Sequence, residues 1–267
     1  MMMLLSKILL TAALCGAVIE GEHTGDVRVV PVEATPEPSE VELLIAYPKE
    51  DEVEEENPVR LQFRLEAYPL GFFSDFTRAR EVRDSEAGQA LHIIIDGKPP
   101  ISVNEAIDEI SESEEINYDQ TIITKVPYNL SKGMHVLRAF LVRSFDESLK
   151  GPKTFATSIF YVGHKDSSKT VDLSRPFLTY NQPQGTFNHK QPILLDFIVS
   201  NTQLSKDGYK VRLIIDGTDK RLLTEWNPHY IYGLNPGSHT IKIELLDPRG
   251  KVLPPLFDDL QQTIVVK

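Results

Sequence analysis

Two histidines stand at one place in a recurring frame: His135 follows Lys132-Gly133-Met134, and His239 follows Pro236-Gly237-Ser238. Imidazole is the side chain best suited to move a proton or hold a metal near neutral pH. Alternation along a strand puts His135 on one face with Leu137, Ala139 and Leu141, and His239 with Ile241, Ile243 and Leu245. Two histidines at matched ends of apolar faces are expected to be hydrogen-bonded and to fix turns, not to serve as bases or ligands. Two acidic runs, Glu50 to Glu56 and Glu105 to Asp119, raise calcium. Calcium needs oxygens converging on a defined loop, and no EF-hand spacing or Asp-x-Asp-x-Asp is present. The runs are read as solvated charge, and neither a metal nor a cofactor is expected.

Aromatic residues offer the remaining chemistry. Trp226, His229, Tyr230 and Tyr232 form a group whose planar rings could stack on sugars. The competing reading has Trp226 and Tyr232 filling the gap between sheets, and Tyr128 at the position matching Tyr232 favours that reading. Phe72, Phe73 and Phe76 either form a patch for a partner or anchor a long loop. Phe72, Phe73, Phe76, Trp226 and Tyr230 are therefore the candidate contacts for a protein partner or an envelope glycan. No Gly-x-Ser-x-Gly, His-Glu-x-x-His, phosphate-binding glycine loop or dinucleotide fingerprint occurs, so no enzymatic activity and no catalytic residue is expected.

These residues lie within a repeat. Val41 to Pro48 parallels Pro176 to Pro183, and Pro58 to Phe63 parallels Pro192 to Phe197. Leu91 to Gly97 parallels Val211 to Gly217, and Tyr128 to His135 parallels Tyr232 to His239. Four matched blocks in one order point to internal duplication. Val59, Leu61, Phe63 and Leu65 alternate with Arg60, Gln62 and Arg64, the period of a strand with one wet face. Asp96-Gly97, Asp216-Gly217 and Asp247-Pro248-Arg249-Gly250 are turn signals between apolar runs. The fold class is thus all-β: two tandem immunoglobulin-like, or fibronectin-III-like, β-sandwiches at residues 41–163 and 176–267, joined by a linker at 164–175. The first unit carries two enlarged loops. One spans Gly71 to Gln89, with Ser74 as a candidate helix cap, and the other follows Asn104, a second candidate cap.

The start of the chain reads as an address. Lys7 precedes an apolar stretch from Ile8 to Ile19, too short to span a bilayer core. Small residues at Cys15 and Ala17 suit cleavage after Ala17, giving a signal peptide at 1–17 and a mature chain with no transmembrane helix. Its removal takes the formal charge from -11 to -12, because Lys7 leaves and no acid does. A lipid anchor at Cys15 is the rival, disfavoured by bulky Leu14 where a small residue is expected. Residues 18–40 hold Pro31, Pro36 and Pro38 with little periodicity and read as a flexible linker. Acidic residues outnumber basic ones by 39 to 28, a balance that repels phosphate backbones and excludes general nucleic-acid binding.

Three stretches resemble a group of uncharacterised exported bacterial proteins. They are Arg143-Ser144-Phe145-Asp146-Glu147-Ser148-Leu149-Lys150, Leu178 to Gly185 and Pro192 to Phe197. The group carries Trp-His where this chain has Phe145-Asp146. The resemblance implies an exported envelope protein, periplasmic, at the cell surface or secreted, built of two sandwich units. It brings no assigned activity. Leu234-Asn235-Pro236-Gly237-Ser238-His239-Thr240-Ile241 is similar to a phrase of many bacterial immunoglobulin-like modules. The sequence therefore leads to a non-enzymatic binding or structural module of the envelope, with a carbohydrate-binding module as the alternative.

Overall fold

The computed structural model describes residues 27–83, 87–105, 119–165, 168 and 170–267. The expected signal peptide, Cys15 and most of the second acidic run lie outside them. The regular structure of the described chain is nearly all strand, with one helical turn, α1 (Arg78–Glu81). Among the described residues no helix is long and apolar enough to cross a membrane.

The first strand, β1 (Arg28–Pro31), precedes both sandwiches. The first sandwich holds β2 (Glu42–Tyr47), β3 (Val53–Glu54), β4 (Arg60–Glu66), β5 (Ala90–Ile95), β6 (Ile101–Val103), β7 (Gln120–Lys125), β8 (Gly133–Val142) and β9 (Phe155–Val162). The second holds β10 (Phe177–Gln182), β11 (Gly185–Phe187), β12 (Ile193–Ser200), β13 (Lys210–Ile215), β14 (Asp219–Leu223), β15 (His229–Tyr232), β16 (Gly237–Leu246) and β17 (Gln261–Val266). In the first unit, sheet β2-β4-β7 faces sheet β3-β9-β8-β5-β6. In the second, β10-β12-β15 faces β11-β17-β16-β13-β14 in the same order. The duplication thus holds strand for strand, down to the short parallel pairs β3–β9 and β11–β17. The matched dipeptides Tyr47-Pro48 and Gln182-Pro183 are both cis.

Alternation builds two separate cores. Leu61, Phe63 and Leu65 of β4 meet Leu91, Ile93 and Ile95 of β5 and Leu137, Ala139 and Leu141 of β8. In the second unit Leu195, Phe197 and Val199 meet Leu213, Ile215, Ile241 and Ile243. Asp96 and Asp216 adopt positive φ at the turn after β5 and β13, a conformation short polar side chains tolerate.

β1 departs from the expectation of a flexible linker. It pairs antiparallel with β15 of the second sandwich, in the register Arg28↔Tyr232 to Pro31↔His229, and Val29 packs on the second core. Chain ahead of the first sandwich therefore supplies the fourth strand of a sheet in the second. From β1 a strap over residues 32–37 is tied down as well: Arg143 Nη2 donates to the Pro36 carbonyl at 2.7 Å, and Lys150 N donates to Glu37 at 3.1 Å. The expected linker at 164–175 is also engaged, since Val171 and Leu173 pack beside Val136, Phe177 and Phe257. Both segments are short of apolar periodicity because each lends single side chains and carbonyls to neighbours instead of building a face.

Candidate functional site

The long loop after β4 is held by its backbone. Gly71 N donates to Gln89 O and Gln89 N donates to Phe72 O, both at 2.8 Å. Ser74 Oγ donates to Gln89 Oε1 at 3.0 Å, and Ser144 N donates to Ser74 Oγ at 3.2 Å. Gln89 Nε2 reaches the Pro69 carbonyl at 2.7 Å. Close approach demands glycine here: Gly88 has φ +77°, and a Cβ on it would lie 2.3 Å from the Gly71 oxygen. Ser74 is therefore a buried cross-brace, not the helix cap expected from sequence; α1 follows Thr77, which makes no side-chain cap bond. Asn104 likewise donates to Ala87 O at 2.8 Å, and the helix expected after it falls outside the described residues.

The braced loop presents Phe72 and Phe73 to solvent, 58% and 63% exposed. Of the other three candidates, Tyr230 is buried, while Phe76 and Trp226 are half-buried and Trp226 lines a concavity of about 360 Å³. Phe76 is half-buried beside Val82, Phe145, Leu194 and Tyr230, with the Arg143 guanidinium 4.9 Å over its ring. Tyr230 is only 4% exposed, and its hydroxyl donates to Glu81 at 2.7 Å. Burial and the Glu81 bond push its pKa up. Trp226 donates its indole N–H to Phe197 O at 2.7 Å and lies under Lys150 Nζ at 5.7 Å. It packs on the cluster of Ala90, Ile94, Phe140, Val142 and Ile198. Burial leaves Tyr230 no open ring, Phe76 is half-covered, and Trp226 shares no open face with Tyr230. Each plugs the seam between the sandwiches, where burying an aromatic ring outweighs leaving it wet.

That seam holds charged residues sequence reasoning missed. Asp196 accepts from Lys150 Nζ at 2.5 Å, Asn181 Nδ2 at 2.8 Å and Ser148 N at 3.0 Å. Glu147 pairs with Arg78 and accepts from Thr35 Oγ1 of the strap at 3.1 Å. Its carboxyl is held above the usual range, by burial first and by the Asp196 charge second, against the pull of Arg78 and Lys150. Arg138 donates to Asp259 at 2.7 Å and to Thr179 at 3.2 Å, with Phe257 3.7 Å beneath it. The signal was available: Asp196 interrupts Ile193-Leu194-Leu195, and Arg138 interrupts an apolar run from Val136 to Val142. A charge inside a strand buried on both faces must find a partner across an interface. All three stretches that carry the family resemblance meet at this seam. Asp196 and Glu147 are sealed from solvent, 1% and 2% exposed.

The paired histidines behave alike. His135 Nδ1 lies 2.9 Å from Asp96 Oδ2 and Nε2 lies 2.7 Å from Ser131 O. His239 Nδ1 lies 2.7 Å from Asp216 Oδ2 and Nε2 lies 2.8 Å from Asn235 O. The other oxygen of each aspartate accepts from the backbone N–H after the histidine. Burial opposes charge on both rings, but the aspartate, the carbonyl bond and the aspartate charge overcome it, so both pKa values are raised. Of the first acidic run, Glu54 bonds Tyr47, Glu50 accepts from Ile159 N and Asp51 pairs with Lys165. Among the described residues no three metal-ligating side chains converge.

No protein family matches the chain, and no curated protein does. Solved structures similar to it include fibronectin(III)-like modules of Clostridium thermocellum CbhA, at 15% identity and TM-score 0.27, covering 84% of this chain and 94% of that one. Another is dimeric latent PorU from Porphyromonas gingivalis, at 14% identity and TM-score 0.28, over 85% of this chain and 20% of that one. A third is Bacteroides ovatus SGBP-B in complex with a mixed-linkage heptasaccharide, at 13% identity and TM-score 0.19, over 85% of this chain and 47% of that one. At these TM-scores the likenesses carry no argument; the fold class stands on the strand order above.

Proposed function

We propose that this chain is a non-enzymatic, exported module of the cell envelope that docks a protein partner through Phe72 and Phe73. One observation carries the reading: two solvent-facing phenylalanines on a loop whose backbone is fixed by buried hydrogen bonds. Large exposed aromatics cost solubility unless they are used, and a pre-ordered loop loses little entropy on binding. The two sandwiches, docked through their charged seam, hold the loop in a fixed orientation. Export rests on the composition of residues 1–17, and the absence of catalysis on the lack of catalytic motifs and on the engagement of the buried acids with Lys150, Arg78 and neighbouring donors.

The test is site-specific photocrosslinking from position 73 in cells. A discrete adduct that disappears with Phe72→Ala, while the melting temperature holds, supports the reading. Crosslinking that is absent, or indifferent to Phe72, refutes it.

A further inference from the structure

A second surface lies where the first sandwich's long loop meets β11. Arg83, just beyond α1, reaches across the seam and donates through Nη1 to the Thr186 carbonyl at 3.2 Å. Its guanidinium lies 4.9 Å over the Phe187 ring. Gly185, at φ +87°, leaves room for it, since a Cβ there would stand 3.4 Å from Arg83 Nη1. The concavity beside it has a volume of about 540 Å³. Among the described residues its wall carries Arg83, His189, Lys190 and Lys267 with the amides of Asn188 and Gln191, and no acidic side chain.

The cations are fixed by backbone pairing. β11 runs parallel to β17, with Gly185 opposite Ile264 and Phe187 opposite Val266. His189 N and Nδ1 both donate to Lys267 O, at 2.9 and 2.7 Å. Lys190 N donates to Asn188 Oδ1 at 3.0 Å, closing the turn that carries it. Among the described residues Lys190 and Lys267 lie within ion-pair distance of no carboxylate, and Arg83 has only Asp146, at 3.7 Å. On a chain with 39 acids against 28 bases, a concavity whose described side chains are basic or neutral, opposed by Asp146 and by the main-chain oxygen of Lys267, concentrates positive charge.

We propose that this concavity binds an oxyanion-rich ligand: a short run of carboxylate or phosphate groups on an acidic polymer. The planar Arg83 fork suits an oxyanion, and the flanking lysines add point charges along it. The volume exceeds that of one small inorganic anion and suits two or three repeating units. The proposal is independent of partner docking at Phe72 and Phe73.

The full chain is titrated, by fluorescence anisotropy, with labelled polyphosphate, labelled oligogalacturonate and neutral dextran at low and physiological salt. Binding to at least one polyanion, none to dextran, and weakening with salt are expected. Lys190→Glu with Lys267→Glu should weaken binding about tenfold, because two exposed attractions become repulsions. Lys190→Gln, which removes only one exposed charge, should weaken it by a few-fold and serves if the double variant folds poorly. The Phe72→Ala Phe73→Ala variant should bind as the parent does. Preference for polyphosphate assigns phosphate as the ligand chemistry, and preference for oligogalacturonate assigns carboxylate. Failure of both polyanions to bind, or binding indifferent to the lysine changes, overturns the proposal.

Discussion

Asp96 with His135, and Asp216 with His239, are the same three-bond clasp made twice: carboxylate to ring, ring to carbonyl, carboxylate to the next N–H. The matched blocks revealed both histidines and both turns, and spacing alone placed the rings at the end of the core. Their bond to the Asp-Gly aspartates was hidden, because it joins blocks far apart in sequence. His239→Ala should cost about 1–3 kcal/mol, the loss of one hydrogen bond to the Asp216 carboxylate and one to the Asn235 carbonyl, read as a lower urea midpoint. The same clasp sets a pH dependence. Because the folded pKa of each ring lies above the unfolded one, its bonus is fully present below about pH 6.5 and is lost as pH rises through the folded value. His239→Ala should flatten that alkaline decline, checked by melting curves across neutral pH. The surroundings of Tyr230 and Phe76 were hidden at this scale for one reason: an aromatic side chain in a loop or edge strand reads the same whether it faces water or a second domain.

Elements with strong alternation, such as β4 and β16, were legible, and so was the order of both units. β1 was not. Arg28–Pro31 is four residues in a proline-rich stretch, and the partner that makes it a strand lies at the far end of the chain. Its existence is a tertiary effect, like most context-dependent strands. Val30→Pro should remove β1 from β15: the bond from Val32 N to Pro228 O puts position 30 at a hydrogen-bonded site opposite Tyr230, where proline cannot donate, whereas Pro31 sits at a site that needs no donor. Amide exchange across His229–Tyr232 should then quicken while the first core keeps its protection. In the long loop, Gly88→Ala would place a methyl 2.3 Å from the Gly71 oxygen at positive φ. A loss on the order of 1–3 kcal/mol follows, together with loss of any adduct from position 73.

Across the whole molecule, two cores share one seam of aromatic and charged groups. Docking was invisible to the sequence reading because seam residues come from both units, the strap and the linker at once. Removing one member weakens its partners: Asp196→Ala takes from Lys150 its carboxylate, leaving it only Ser148, and leaves Asn181 only the Asp146 carbonyl, a cost of about 2–4 kcal/mol. Calorimetry should show the parent melting in one transition and this variant in two. The seam also governs behaviour in acid. Burial of His92 pushes its pKa down to about 4, against smaller opposing effects of Asn181 and Asp196. Its contribution is therefore present above about pH 6.5 and is lost as pH falls toward the folded value, on the order of 3 kcal/mol in full. His92→Gln should lessen the difference in urea midpoint between about pH 7 and pH 5.

The pairing of Arg28 with Tyr232 has a consequence for how the protein comes into being. A ribosome delivers the chain from its N terminus, and the first sandwich has all its own strands well before β15 emerges. Until then Arg28–Pro31 lacks its β15 partner, and the strap is anchored only within the first unit, at Arg78, Arg143, Glu147 and Lys150. Maturation is thus ordered in time: one unit closes early, the other late, and the earliest-made strand is among the last to take its seat.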